Sequence, residues 1–283
     1  MRILVTNDDG IDSEGLHVLA RAMTAHGVVT VVAPDDEYSG ASAALGALHR
    51  IQPEVHRTQL EGVPDAWSVS GPPALCVMFA RLGAFGPPFD MVVAGINPGV
   101  NVGRSVYHSG TVGAALTARA GGMTGVAVSQ AVQGFGVEGQ GWDDMLAGQV
   151  WDGAATVASA LVGALEAGPT GIPVVANLNV PNLTVPDMAG WRHTTVGRIP
   201  PRVIADASLE PKVGHPGSFR VAMKWGDAVS LPEGTDGGAV ERDEVSVTLL
   251  GTLSEARTPR DMDATAAAEL VIGHALDALF KAR

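Results

Sequence analysis

The chain has 283 residues, 46% of them hydrophobic, and its 18 basic and 30 acidic side chains leave a formal net charge of -12. That length and apolar content allow a sizeable core, whereas the acidic balance excludes general binding to a nucleic-acid duplex, which needs a basic surface to displace counterions. A small phosphorylated ligand stays open, because a bound cation can invert the local charge. Cys76 is the single cysteine and cannot form an internal disulfide. With no signal peptide after Arg2, this predicts a cytoplasmic protein. The most apolar stretch, VWDGAATVASALVGALEAG, contains Asp152 and Glu166 and reads as a core helix, so no membrane association is expected.

Strand and helix patterns alternate along the first two-thirds of the chain. RILVT at 2–6 reads as a buried strand, and Ser13 and Glu14 open a helix that reaches about His26. VVTVVAP at 28–34 is a second strand, closed by Pro34. Residues from 45 to about 60 show no clean helical spacing and are read as extended or irregular. PPALCVMFARLGAF places prolines in a favourable first turn and continues as a helix. A strand at 89–95, a small-residue helix from Gly110 and a strand at TGVAVSQ follow. A helix over 147–167 and a strand at IPVVANLNVP complete this part. Such alternation predicts an α/β fold with a mainly parallel sheet covered by helices on both faces.

The pattern changes near residue 186. GWRHTTVGRI, SFRVAMKW and DEVSVTLL read as strands without intervening helices, so 186–283 is expected to be a β-rich extension of a 1–185 core. From Thr258 the chain reads as a helix, with Ile272, Leu276 and Leu279 on one face, packing on the core or on a neighbouring subunit.

In an open α/β sheet, ligands gather beyond the C-terminal ends of the strands. Four polar clusters fall at such ends: Asn7-Asp8-Asp9-Gly10, Asp35 to Ser42, Gly95 to Asn101, and His108 to Thr111. Taken singly, each has an ordinary explanation. Asp-Asp-Gly makes a turn, the two middle segments make loops, and Ser109 caps a helix. Together they exceed what turns require, and a helix N-terminus also offers N–H groups to a phosphate. Adjacent carboxylates repel unless something positive sits between them. Carboxylate, hydroxyl and amide oxygens suit Mg²⁺ or Mn²⁺ better than zinc, for which there is no HExxH or comparable pattern and, with one cysteine, no thiolate cage. Such an ion would polarise a phosphoryl oxygen.

RILVTNDDGI, APDDEYSGAS, SVSGPPALCV, VAGINPGVNVG and SGTVGAAL together resemble the SurE family of survival-protein nucleotidases. The likeness extends to NLNVP at 177–181 and GTDGGAVERDEVSVTLL at 234–250, and so covers nearly the whole chain in order. It implies a Rossmann-like three-layer core and a metal-dependent phosphomonoesterase acting on nucleoside 5′- and 3′-monophosphates. It also implies one Mg²⁺ or Mn²⁺ per subunit, and a homodimer or homotetramer with exchanged C-terminal segments. The family's metal ligands fall on Asp8, Asp9, Ser39 and Asn97. Its phosphate-contacting positions fall on Asn101, Ser109, Gly110 and Thr111, with Asn7, Gly40 and Ser42 beside them. Asp8, Asp9, Asn101, Ser109 and Thr111 are the positions expected to carry catalysis.

Some positions depart from the family pattern: Arg104 stands where an acidic residue is usual, Pro72 and Leu75 replace a Thr and an Asp, and Tyr107-His108 replaces an aliphatic residue and a tyrosine. Arg104 is expected to favour a more acidic substrate. The nucleophile stays open between an Asp8 carboxylate and a water that gives its proton to Asp8 or Asp9. His108 is a candidate acid or a hydrogen-bonded neighbour, and Cys76 is read as packing. A receiver-like signalling domain lacks its lysine here, since lysines occur only at 212, 224 and 281. A dinucleotide-dependent oxidoreductase lacks its GxGxxG. A binding protein that keeps the pocket without turnover, or a phosphatase for a specialised metabolite, also stays open.

Overall fold

The computed structural model describes residues 1–50, 52–132, 146–168, 171–199, 204–227, 229–251 and 259–281. The strands are β1 (Arg2–Thr6), β2 (Val28–Pro34), β3 (Val55–Leu60), β4 (Val63–Val69), β5 (Met91–Pro98), β6 (Thr124–Gln130), β7 (Val175–Val180), β8 (Gly190–His193), β9 (Ile204–Pro211), β10 (Phe219–Trp225) and β11 (Glu244–Leu250). The helices are α1 (Glu14–Met23), α2 (Pro73–Arg81), α3 (Gly110–Ala120), α4 (Trp151–Ala167), α5 (Asp236–Val240) and α6 (Pro259–Lys281). Nine strands form one sheet in the order β3-β4-β2-β1-β5-β6-β7-β11-β8. Every neighbouring pair from β4 to β7 is parallel, while β3 and β11 run antiparallel to β4 and β7. β9 and β10 pair only with each other, antiparallel.

β1 lies in the middle of the sheet, and its Ile3, Leu4 and Val5 are all fully buried. A strand covered on both faces needs such an uninterrupted apolar run. Ile3 and Val5 join Leu16, Leu19 and Met23 of α1, Leu161 of α4 and Ile272 of α6 in one core. Leu4 points the other way and packs with Val92, Leu75 and Val77 of α2 and Ala114 of α3. The sheet is therefore the middle of three layers, as expected for a Rossmann-like α/β sandwich.

The boundaries shift where the chain meets solvent. α1 ends at Met23 and a 3-10 turn carries Thr24–His26, and α2 stops at Arg81 rather than running on towards Phe85. β3, inside the stretch read as extended or irregular, is an edge strand with mostly exposed residues, so no apolar alternation marks it. β4 was not anticipated, because Pro64 and Asp65 interrupt its pattern. β9 is exposed along its whole length and carries no burial signal either. Beyond residue 186, β8 and β11 extend the main sheet and only the β9–β10 hairpin stands apart. In α6, Ile272 and Leu276 are fully buried and Leu279 packs partly against the same core. Among the described residues no helix is long and apolar enough to cross a membrane.

Candidate active site

The parallel arrangement brings the C-terminal ends of β1, β2, β5 and β6 to one edge, and the turn after β1 carries Asn7, Asp8 and Asp9 there. Asn7 is fully buried, and its Nδ2 donates to Gly10 O at 2.9 Å and to Ser13 Oγ at 2.6 Å. Its amide thus shapes the turn that presents both aspartates. Asp8 is 3% exposed and meets the start of α3: Gly110 N donates to Oδ2 at 3.0 Å and Thr111 Oγ1 donates to Oδ1 at 2.5 Å. Gly110 is required here, since a Cβ would stand 2.7 Å from Asp8 Oδ2. Ser109 caps the same helix, its Oγ accepting from Val112 N at 3.1 Å. The helix N-terminus, with its partial positive charge, therefore faces the Asp8 carboxylate.

Asp9 is held differently. Its Oδ2 is a buried acceptor with no donor. Burial, then the Asp8 and Glu37 charges, push its carboxyl well above the ordinary value. Burial also raises Asp8, with the Thr111 hydroxyl and backbone N–H groups working against it. The two residues thus present negative charge with too little compensation, and Asn7 Oδ1 is a second buried acceptor lacking a donor.

The remaining residues expected at the site lie on the loop after β2, at the end of β5 and on the loop that follows it. Ser39 lies exposed in the loop after β2 and donates to Glu37 Oε1 at 2.8 Å, which leaves its oxygen lone pairs free. Tyr38 N donates to Asp8 O at 2.7 Å and Ser42 N to His108 O at 3.0 Å, so this loop is fastened to the turn after β1 and to the start of α3. Ser42 adopts a positive φ of 52°, and Gly40 is exposed. Gly113 of α3 lets the loop approach, because a Cβ there would lie 2.1 Å from Ser42 O. β5 runs through an irregularity at the cis Gly95–Ile96 peptide to Asn97, whose Nδ2 donates to Gly99 O at 2.6 Å. No hydrogen bond among the described residues joins Ser39 or Asn97 to either aspartate. Asn101 is 8% exposed, and its Nδ2 donates to Ser129 Oγ at 2.9 Å.

The donor set fits a hard cation. The aspartates, the Ser39 hydroxyl and the Asn97 amide all offer oxygen, and the donorless Asp9 Oδ2 calls for positive charge. Among the described residues no three His, Cys, Asp or Glu side chains gather as a metal cluster.

The positions where the chain departs from the family pattern separate in space. Pro72 is the cap of α2 and Leu75 is fully buried in the core, so both are packing residues. Arg104, Tyr107 and His108 are exposed on the 3-10 turn leading to α3. Cys76 is fully buried.

The family described as "Survival protein SurE" matches residues 3–201. The chain belongs to the SurE family. It is 36% identical over 258 residues to the 5'-nucleotidase SurE of Aeromonas hydrophila, covering 88% of this chain and 92% of that protein. To the 5'-nucleotidase SurE of Coxiella burnetii it is 35% identical over 253 residues, covering 88% of each. The crystal structure of the SurE protein from Aquifex aeolicus superposes with a TM-score of 0.69 at 28% identity, over 90% of this chain and 95% of that one.

Further polar residues hold the candidate site residues or the segments next to them. Glu37 holds Ser39 and acts on Asp9. Asn177, Asn179 and Ser129 hold Asn101. Asp236 accepts from Gly103 N at 2.8 Å and Gly197 N at 2.9 Å. The signals in the sequence were the asparagine pair set in the apolar run of β7 and the family-like stretches that contain Glu37 and Asp236.

Proposed function

We propose that this chain hydrolyses phosphate monoesters, nucleoside 5′-monophosphates first and 3′-monophosphates second, with the help of a divalent cation. The observation that carries the reading is the Asp8–Asp9 pair, a buried carboxylate pinned by the start of α3 beside a half-buried one lacking any donor at its buried Oδ2. The 5'-nucleotidase names of the two relatives supply the substrate class. Asp8, Asp9, Ser39 and Asn97 would hold one Mg²⁺ or Mn²⁺ per subunit. When bound, that ion supplies Lewis-acid polarisation of a phosphoryl oxygen.

The rest of the chemistry falls to the chain itself. Asn101, Ser109, Gly110 and Thr111 line the phosphoryl side of the pair. Asn101 Nδ2 keeps a second hydrogen after serving Ser129, and the positive end of α3, whose Gly110 N–H and Thr111 hydroxyl already serve Asp8, adds a favourable field for the anion. Asn7 keeps the aspartates in place, and Gly40 and Ser42 belong to the loop that approaches the substrate. Both oxygens of Asp8 accept bonds from α3, whereas Asp9 Oδ2 has none, which favours Asp9 as the carboxylate taking a proton from the attacking water.

The same reading includes cytoplasmic action and a homodimer or homotetramer. Leu209, Phe219, Val221 and Met223 of the β9–β10 hairpin are each more than half exposed, an apolar arm that calls for cover. A monomeric mass by light scattering would remove that part of the reading.

Phosphate release from 5′- and 3′-nucleoside monophosphates and an aryl phosphate, with Mg²⁺, Mn²⁺ or EDTA, tests the activity. The expected result is release that needs a divalent ion and disappears in Asp8→Asn. Release that persists in EDTA and in Asp8→Asn would overturn the proposal.

A further inference from the structure

β7 is an inner strand of the sheet, between β6 and β11, and all six of its residues are buried. Its even-numbered residues Ala176, Leu178 and Val180 face the α1–α4 core. On the other face Val175 packs beside Val112 and Ala115 of α3, and the next two positions are Asn177 and Asn179, both fully buried. Alternate residues of a strand share a face, so the two amides stand in line towards the site edge. Aliphatic residues would fill such a position without the cost of burying an amide.

These amides are used on the main chain of one residue. Asn101 N donates to Asn179 Oδ1 at 2.7 Å, and Asn101 O accepts from Asn177 Nδ2 at 2.9 Å and Asn179 Nδ2 at 3.2 Å. Ser129, which pairs with Asn179 in the β6–β7 ladder, takes the Asn101 side chain. Both main-chain groups of Asn101 and one end of its amide are thereby fixed to the sheet. Pro98 and Gly99 just before it are tied to Gln130 of β6, so the asparagine pair carries that anchoring on to Asn101 itself.

We propose that Asn177 and Asn179 are positioning residues that set the backbone of Asn101, and so aim its side chain at the phosphoryl group. The inference rests on the phosphomonoesterase reading given above. A displacement of about 1 Å in a group that contacts the reacting centre can cost on the order of a hundredfold in rate.

A double-mutant cycle tests it, with phosphate release from a nucleoside monophosphate in Mn²⁺ as the rate and the Mn²⁺-induced rise in Tm as the control for an intact aspartate pair. Asn179→Ala and Asn101→Ala should each lower kcat by about tenfold or more and leave the Mn²⁺ response in place. If Asn179 acts through Asn101, the double variant should lie within about threefold of Asn101→Ala alone, since residues that work as one unit are non-additive. Should Asn179→Ala not fold, Asn179→Asp serves instead, because it keeps the volume and the acceptor for Asn101 N while losing the donor to Asn101 O. Losses that multiply, or an Asn179 variant within about threefold of the parent, would overturn the assignment while the phosphomonoesterase reading stood. A parent protein inactive on every monophosphate would overturn both.

Discussion

Replacing Asp236 by alanine should destabilise the chain more than most single substitutions outside the apolar core. The residue is 1% exposed, and its carboxyl oxygens accept from three main-chain donors: Gly103 N at 2.8 Å, Gly197 N at 2.9 Å and Gly237 N at 2.9 Å. It ties together the turn before α3, the loop after β8 and the start of α5. Hydrogen bonds to a charged group contribute roughly 1.5–3 kcal/mol each, so three give a gross loss of about 5–9 kcal/mol. Relief of the carboxylate's own desolvation, several kcal/mol, offsets part of that loss and leaves about 3 kcal/mol. For a chain of this size roughly 2–4 °C of Tm accompanies each kcal/mol, which gives a fall of about 6–12 °C. Thermal unfolding followed by circular dichroism in EDTA reads this directly. Asp236→Asn, which keeps two acceptor lone pairs, should lie between the parent and the alanine variant. An alanine variant that melts within about 2 °C of the parent would refute the view that this side chain fastens the three segments.

Asp9 gives a prediction with the opposite sign. Burial, then the Asp8 and Glu37 charges, hold its carboxyl well above the ordinary value, so the folded state binds that proton more tightly than the unfolded one. At pH 7, where the unfolded carboxyl is ionised, this preference for the proton costs the metal-free fold stability, and the cost fades as the pH falls towards about 4, where the unfolded chain also takes up the proton. In EDTA, Asp9→Asn should melt above the parent at pH 7, with the gap closing towards pH 4; a gap that widens in acid would contradict this electrostatic account. With Mn²⁺ in large excess the parent should gain stability, about 2.7 kcal/mol at a hundredfold excess over Kd, and the Asn variant should not. Burial also pushes the Cys76 thiol up, and the side chain is fully buried in the α2 core. Native protein at pH 8 should therefore leave Ellman's reagent unreacted until guanidinium unfolds it, and prompt colour from the folded protein would show that this core opens.

Parts of the site were legible because their chemistry is local. Asp8 and Asp9 follow the first strand directly, and Ser109 caps the helix that begins one residue later, so strand end, charge pair and cap could each be read from a few neighbouring letters. The inner strands were legible for the same reason, since a strand covered on both faces must be apolar throughout. β3 and β9 were not, because an edge strand or an isolated hairpin face has no core to impose alternation. The contacts that hold the site also lay beyond local reading. Asn177 reaches Asn101 across 76 positions of chain, and Asp236 reaches Gly103 across 133.

The amino-acid sequence by itself determined the layered α/β architecture, the family, and the residue types gathered at one edge of the sheet, because hydrophobic period and strand-end chemistry are written in short segments. The tertiary structure decided which of those residues meet. Strand order brought the start of α3 against Asp8, left Asp9 Oδ2 without a donor, turned Leu75 into the core and left Arg104 in solvent. It also set two buried asparagines of β7 against the backbone of Asn101. Which partner a buried polar group finds depends on elements distant in the chain arriving at one point, and only the packed sheet brings them there.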